Sequence, residues 1–227
     1  MYKKYNFDGV IVENMHDIPY VCSRDSGPEV LSVMTAVCVE VKKLLPNIAC
    51  GVQILAAMNR EALAVAFASG MQFIRSEAYV FSHVADEGLM NACCGPLLRY
   101  RKHIGAESIL VFTDIKKKHC SHAITADVTI KQTAEAAKFF LADGVIVTGS
   151  QTAESPIMSD VDSVLQVSDM PVLIGSGITS DNLTQFLQRK VNALIIGSEF
   201  KRNGLWSNEI DEQRISRFVD LYNTHQN

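Results

Sequence analysis

Seven short runs rich in β-branched residues alternate along this chain with longer segments of helical period, and that order leaves few folds open. The runs occupy residues 7–12, 48–53, 73–75, 108–112, 144–147, 172–175 and 193–196. Val10-Ile11-Val12, Val145-Ile146-Val147 and Leu194-Ile195-Ile196 offer no polar face to water, as suits strands covered on both sides. The segments between them read as helices. Residues 29–45 set Val30, Val33, Met34, Val37, Val41 and Leu44 on one side and stop at Pro46, whose ring cannot continue a helix. Asn59 is the expected cap of a helix over 60–69, with Gly70 placed to close it. Further helices are expected over 133–142, over 182–188 behind Ser180 or Asp181, over 211–222, and from Asp86 to a break at Gly95-Pro96.

Strand followed by helix, repeated, implies right-handed βαβ units and a parallel sheet. No GxGxxG follows the first run, so the pattern fits an α/β fold of the (β/α)8 TIM-barrel type better than a doubly wound sheet. Seven βα units are present instead of eight. The first run already begins at Phe7, so the missing strand is expected to be the first. No linker or low-complexity tract divides residues 1–227, which read as a single domain.

Composition excludes several classes. With 21 basic and 25 acidic side chains, and 48% hydrophobic residues, the chain is ordinary globular material large enough to fold without disulfides or a structural metal. No apolar run approaches the roughly 18 residues of a membrane helix. The start, Met1 to Phe7, reads neither as a signal peptide nor as a transit peptide. Mild acidity and a lone basic triplet, Lys116-Lys117-Lys118, argue against nucleic acid. Six cysteines without a CxxC pair read as reduced thiols inside a cell. The expected location is therefore intracellular, cytoplasmic or organellar.

In a barrel of this type the working groups sit at the C-terminal ends of strands and in the loops that follow them. Gly175-Ser176-Gly177 and Gly197-Ser198 follow the last two runs, where glycine lets backbone N–H groups approach an anion, and a following helix adds its dipole. They are the expected phosphate-binding residues; tight turns alone are the plainer alternative. Polar groups at the other strand ends would face that anion. Glu13, Asp114 and Lys116 are the catalytic candidates, the carboxylates as acid or base and the lysine as electrophile or Schiff-base former. Asn14, Gln53, Arg75, Glu77, Lys118 and Thr148 are the candidate substrate-binding residues, while Lys117 reads as a solvated loop charge.

No cofactor is expected. His83, Asp86 and Glu87, with His119 and His122, are the candidates for a divalent metal, yet their spacing matches no strong zinc signature, and Asp86-Glu87 also suits a helix start. Cys93-Cys94 reads as helix packing and Trp206 as a loop anchor.

Several of these segments resemble the BtpA family, named for a protein implicated in photosystem I biogenesis, and the likeness runs along essentially the whole chain. They include Asp8-Gly9-Val10-Ile11-Val12-Glu13-Asn14, Gly51-Val52-Gln53-Ile54-Leu55, Phe73-Ile74-Arg75-Ser76-Glu77 and His83-Val84-Ala85-Asp86-Glu87-Gly88. Asp114 to His119, Asp143 to Gly149 and Pro171 to Gly177 complete them. The resemblance implies a TIM barrel akin to ribulose-phosphate-binding barrels. It also implies an opening strand and a Pro/Gly-containing loop that this chain lacks, as a shortened isoform or incomplete gene model would, and a targeting peptide could be missing with them. The expected partner is a phosphorylated small molecule, a sugar or nucleoside phosphate, bound at the C-terminal face; a homo-oligomer would cover the exposed sheet edges. The rival expectations are a non-catalytic assembly factor for a protein complex and an inactive truncated form.

Overall fold

A computed structural model describes residues 1–167 and 169–225. In chain order its first half runs β1 (Gly9–Glu13), α1 (Pro28–Leu44), β2 (Ala49–Gln53), α2 (Asn59–Ser69), β3 (Phe73–Ser76), β4 (His83–Ala85), β5 (Gly88–Met90) and α3 (Cys94–His103). The second half runs β6 (Leu110–Ile115), β7 (Cys120–Ser121), α4 (Ile130–Phe139), β8 (Gly144–Val147), α5 (Met158–Leu165), β9 (Val172–Ile174), α6 (Leu183–Leu187), β10 (Ala193–Leu194) and α7 (Glu212–Thr224). Strands β1, β2, β3, β6, β8, β9 and β10 lie side by side in that order, each pair parallel. A small antiparallel sheet, β5-β4-β7, forms apart from them. The fold is an α/β TIM-type barrel with seven strands in place.

Local chemistry accounts for the elements. Pro28 opens α1, where its missing N–H has no partner to lose. Thr129 and Gln132 form a reciprocal capping box that starts α4 three residues before the sequence pattern does. Asp211 caps α7 by accepting from Gln213 N–H and Arg214 N–H. Gly70 ends α2 in the left-handed conformation, as expected. The core lies between the sheet and its helices: Cys38 of α1, Ala62, Leu63 and Ala66 of α2, Val52 of β2 and Ile74 of β3 are all fully buried. Burial of Val52, Leu63 and Ile74 stabilises the fold by roughly 1.5–3 kcal/mol each.

Three of these expectations need correction, and one helix lies outside them. Asn59 does not cap α2. Its amide instead clasps the residue after β3, with Nδ2 donating to the Glu77 carbonyl at 2.6 Å and Oδ1 accepting from Glu77 N–H at 3.0 Å. No helix starts at Asp86. Asp86-Glu87 is the two-residue turn of the β4–β5 hairpin, and Gly88, at φ +102°, supplies the conformation the turn needs. Gly95-Pro96 does not break a helix but sits in the first turn of α3, where no intrahelical N–H bond is lost. Finally, α5 was not expected; its short pattern buries only Val161 and Val164.

The sheet does not close. Strands β1 and β10 are its two edges, and β1 is only half-buried along its length, whereas β8 is buried throughout. An open cleft of about 1740 Å³ lies between them, lined by side chains from both edges and from the inner face of α7. Aromatic rings bridge the seam in two places. Phe7, just before β1, meets Phe200 at 5.3 Å, and Phe200 meets Phe218 of α7 at 5.3 Å. His16, after β1, meets Trp206, after β10, at 5.3 Å. Among the described residues no helix is long and apolar enough to cross a membrane, and all six cysteines are unpaired.

Candidate functional site

The C-terminal strand ends carry two buried polar networks. In the first, Arg75 of β3 donates from Nε and Nη2 to the two carboxylate oxygens of Asp114 on β6, at 3.0 and 3.1 Å. Its Nη1 reaches Glu13 Oε1 on β1 at 3.1 Å. Three strands are thereby tied by one guanidinium that is only 5% exposed. Burial opposes the charge on Arg75, and the two carboxylates more than offset it, so its pKa rises. Of this trio Glu13 and Arg75 line the cleft.

The second network centres on Glu77, which is 1% exposed. Its carboxylate accepts from Gln53 Nε2 at 2.8 Å and from Ala57 N–H at 2.7 Å, and pairs with Lys117 Nζ at 2.9 Å. Lys117 is therefore not the solvated loop charge its sequence suggests. Burial works against its charge, and Glu77 more than restores it, holding the pKa at about 12. Asn14 also serves structure, accepting from Leu55 N–H at 2.8 Å. The Gln53 Oε1 atom is buried without a partner among the described residues.

The loops after β9 and β10 do converge. Gly175, Ser176, Gly177, Gly197 and Ser198 all line the one cleft, together with Lys118 and Glu13. Among the described residues no acceptor engages the backbone N–H groups of Ser176, Gly177, Gly197 or Ser198. Lys118 Nζ stands 3.5 Å from Ser176 Oγ, and no carboxylate pairs with it among the described residues. Its pKa is lowered by burial and then by the positive Arg75 nearby. Lys118 is aligned through its own N–H, which donates to Thr148 Oγ1 at 3.1 Å. Gly177, at φ +63°, is approached so closely by the loop after β8 that a Cβ there would lie 2.1 Å from Ser155 N. Helix dipoles contribute little, because α6 has five residues and only a three-residue 3₁₀ turn, Ser198–Phe200, follows β10.

Other candidates are not brought to the cleft. Lys116 turns to the opposite side of its loop, where Nζ donates to the Thr125 carbonyl at 2.8 Å. Among the described residues no three His, Cys, Asp or Glu side chains are grouped to hold a metal ion. His83 and His122 meet at 5.2 Å with their rings tilted by 55°, His119 bonds Thr152 at 2.8 Å, and Asp86 is exposed on its hairpin. Burial raises the Cys93 thiol to about 11, which removes thiolate reactivity at neutral pH. Trp206 is half-buried and lines the cleft.

Sequence reasoning missed Glu199 and Arg214, which face the cleft beside Ser180. Glu199 could have been noticed directly after Gly197-Ser198. Arg214 has no local signal, since it reaches the site from α7.

The sequence model of the BtpA family matches residues 1–224. An uncharacterised mitochondrial protein of Caenorhabditis elegans is 50% identical over 99% of this chain and 81% of its own length. The photosystem I biogenesis protein BtpA of Synechocystis is 32% identical over 94% of this chain and 73% of its own. Among solved structures, phosphoribosyl anthranilate isomerase from Thermus thermophilus superposes with a TM-score of 0.61 at 11% identity, covering 98% of this chain and 91% of that one. Orotidine 5'-phosphate decarboxylase from Pyrococcus horikoshii gives 0.59 at 13% identity, with 97% and 89% covered. At such identities these structures speak for the fold alone.

Proposed function

This chain belongs to the BtpA family, and from that premise we propose that it binds a phosphorylated small molecule, a sugar or nucleoside phosphate, at the mouth of its cleft. One observation carries the reading: among the described residues Lys118 stands against Ser176 with no carboxylate paired to it, and the backbone N–H groups of Ser176, Gly177, Gly197 and Ser198, which line the same cleft, have no acceptor. A cation without a paired carboxylate and amides without acceptors offer a phosphate the donors it needs, and each charge-assisted hydrogen bond is about twice as strong as a neutral one. Phosphorylated compounds appear in the names of two barrels that share this fold. Any acid or base work falls to Glu13, which faces the cleft with one oxygen on Arg75, while Asp114 has both oxygens engaged. The mitochondrial name of the nematode relative favours an organelle over the cytoplasm.

A panel of sugar and nucleoside phosphates, read by thermal shift, tests the proposal. At least one should raise the melting temperature, and Ser176→Asp should abolish the rise by charge repulsion. Lys118→Met should weaken binding by about tenfold or more. No shift with any phosphate would leave the rival reading, an assembly factor for a protein complex. That reading has its own support in the name of the cyanobacterial relative and in an exposed apolar ridge at the end of α4, where Phe139 is 79% and Leu141 68% exposed.

A further inference from the structure

Beside the two glycine loops, a carboxylate of the chain itself is held as a bound anion would be. Glu199 Oε1 accepts from Ser180 N–H at 3.3 Å and from Ser180 O–H at 2.9 Å. Its other oxygen takes Arg214 Nη2 at 2.6 Å, and Arg214 Nε donates to the Glu199 carbonyl at 2.6 Å. An amide, a hydroxyl and a guanidinium converging on two oxygens make a donor set that takes phosphate oxygens equally well. The Glu199 side chain is only 10% exposed, so its charge is less screened than one in open water.

The loop after β9 does not need Glu199 for its shape. Asn182 already fixes it, with Oδ1 accepting from Thr179 N–H at 2.8 Å and Nδ2 donating to the Gly177 carbonyl at 2.7 Å. The Ser155 hydroxyl adds a second bond to the same Gly177 carbonyl at 2.8 Å. Glu199 therefore occupies three donors at the rim of the cleft, next to a loop that Asn182 and Ser155 hold independently.

We infer that Ser180 and Arg214 form an anion subsite next to the phosphate cradle, filled by Glu199 when no ligand is present, so that Glu199 competes with a bound phosphate and weakens it. The inference rests on the phosphate reading above. Its signature is a pair of opposite signs. Removing the charge of Glu199 frees Arg214 and Ser180 for the ligand and removes a like charge. Removing Arg214 leaves Glu199 facing the ligand unneutralised. A merely structural tether between the two loops would make both changes weaken binding.

Titration calorimetry with inorganic phosphate at constant ionic strength separates these cases. Glu199→Gln should bind phosphate about threefold or more tighter than the unaltered chain, and Arg214→Gln about threefold or more weaker. Glu199→Ala should match the sign of Glu199→Gln, so the result does not depend on Arg214→Gln folding. Equal or weaker binding by both Glu199 variants, while the unaltered chain binds, overturns this inference and leaves the cradle standing. Absence of binding by the unaltered chain and by Glu199→Gln alike overturns the cradle and the subsite together.

Discussion

Two residues show how much a single position can decide. Gly177 combines a left-handed backbone with a backbone approach that leaves no room for a methyl group. Gly177→Ala should therefore cost roughly 2 kcal/mol or more in urea unfolding and also weaken phosphate binding, because the loop must move to accept it. His83 is 5% exposed, and burial, then the positive fields of His122 and Lys117, lower its pKa from 6.5 to about 4. The folded chain thus holds this ring neutral, while the unfolded chain takes up a proton below about pH 6.5. Stability should fall as pH drops from about 6.5 to about 4, by up to ~3 kcal/mol, and His83→Gln should flatten that slope. An unchanged slope in the variant would assign the loss to other groups. Neither property was legible in sequence. The glycine could be marked as a turn, but the loop that presses on it, and the ring beside His83, arrive from distant segments.

At the scale of elements, Arg75 is the tie between three strands. Arg75→Met would leave the buried Asp114 and the half-buried Glu13 without their partner, and should destabilise the fold by roughly 3–5 kcal/mol in chemical denaturation. Arg75→Lys should recover only part of that, since an ammonium cannot make the two-pronged bond to Asp114. Most elements were readable in advance. The run at 144–147 matches β8 to the residue, because a strand buried on both faces announces itself by unbroken β-branched chains. The hairpin of β4 and β5 was not readable, since Asp86-Glu87 suits a helix start as well as a turn, and pairing with β7 decides between them. Helix α5 escaped for a related reason: its eight residues cover only two turns, too few for a periodic signal.

At the scale of the whole molecule, the described residues leave two unpaired strand edges, at β1 and β10. Exposed edges are templates for further pairing, so the chain should associate as concentration rises. Sedimentation equilibrium over about a hundredfold range of concentration should show mass rising above 25.0 kDa; a constant monomer mass would mean that the aromatic bridges Phe7–Phe200 and His16–Trp206 protect the seam. The amino-acid sequence by itself determined the order of the strands, their parallel sense and the glycine corners of the mouth. These follow from local period, from the handedness of βαβ units and from backbone freedom, all of which short stretches encode. Only the tertiary structure decided which charges meet. Three consecutive lysines end on three different partners, Lys116 on Thr125, Lys117 on Glu77 and Lys118 beside Ser176, because each turns toward a different neighbouring strand or loop. A side chain's partner depends on what lies across the barrel, and that is settled when the sheet curls.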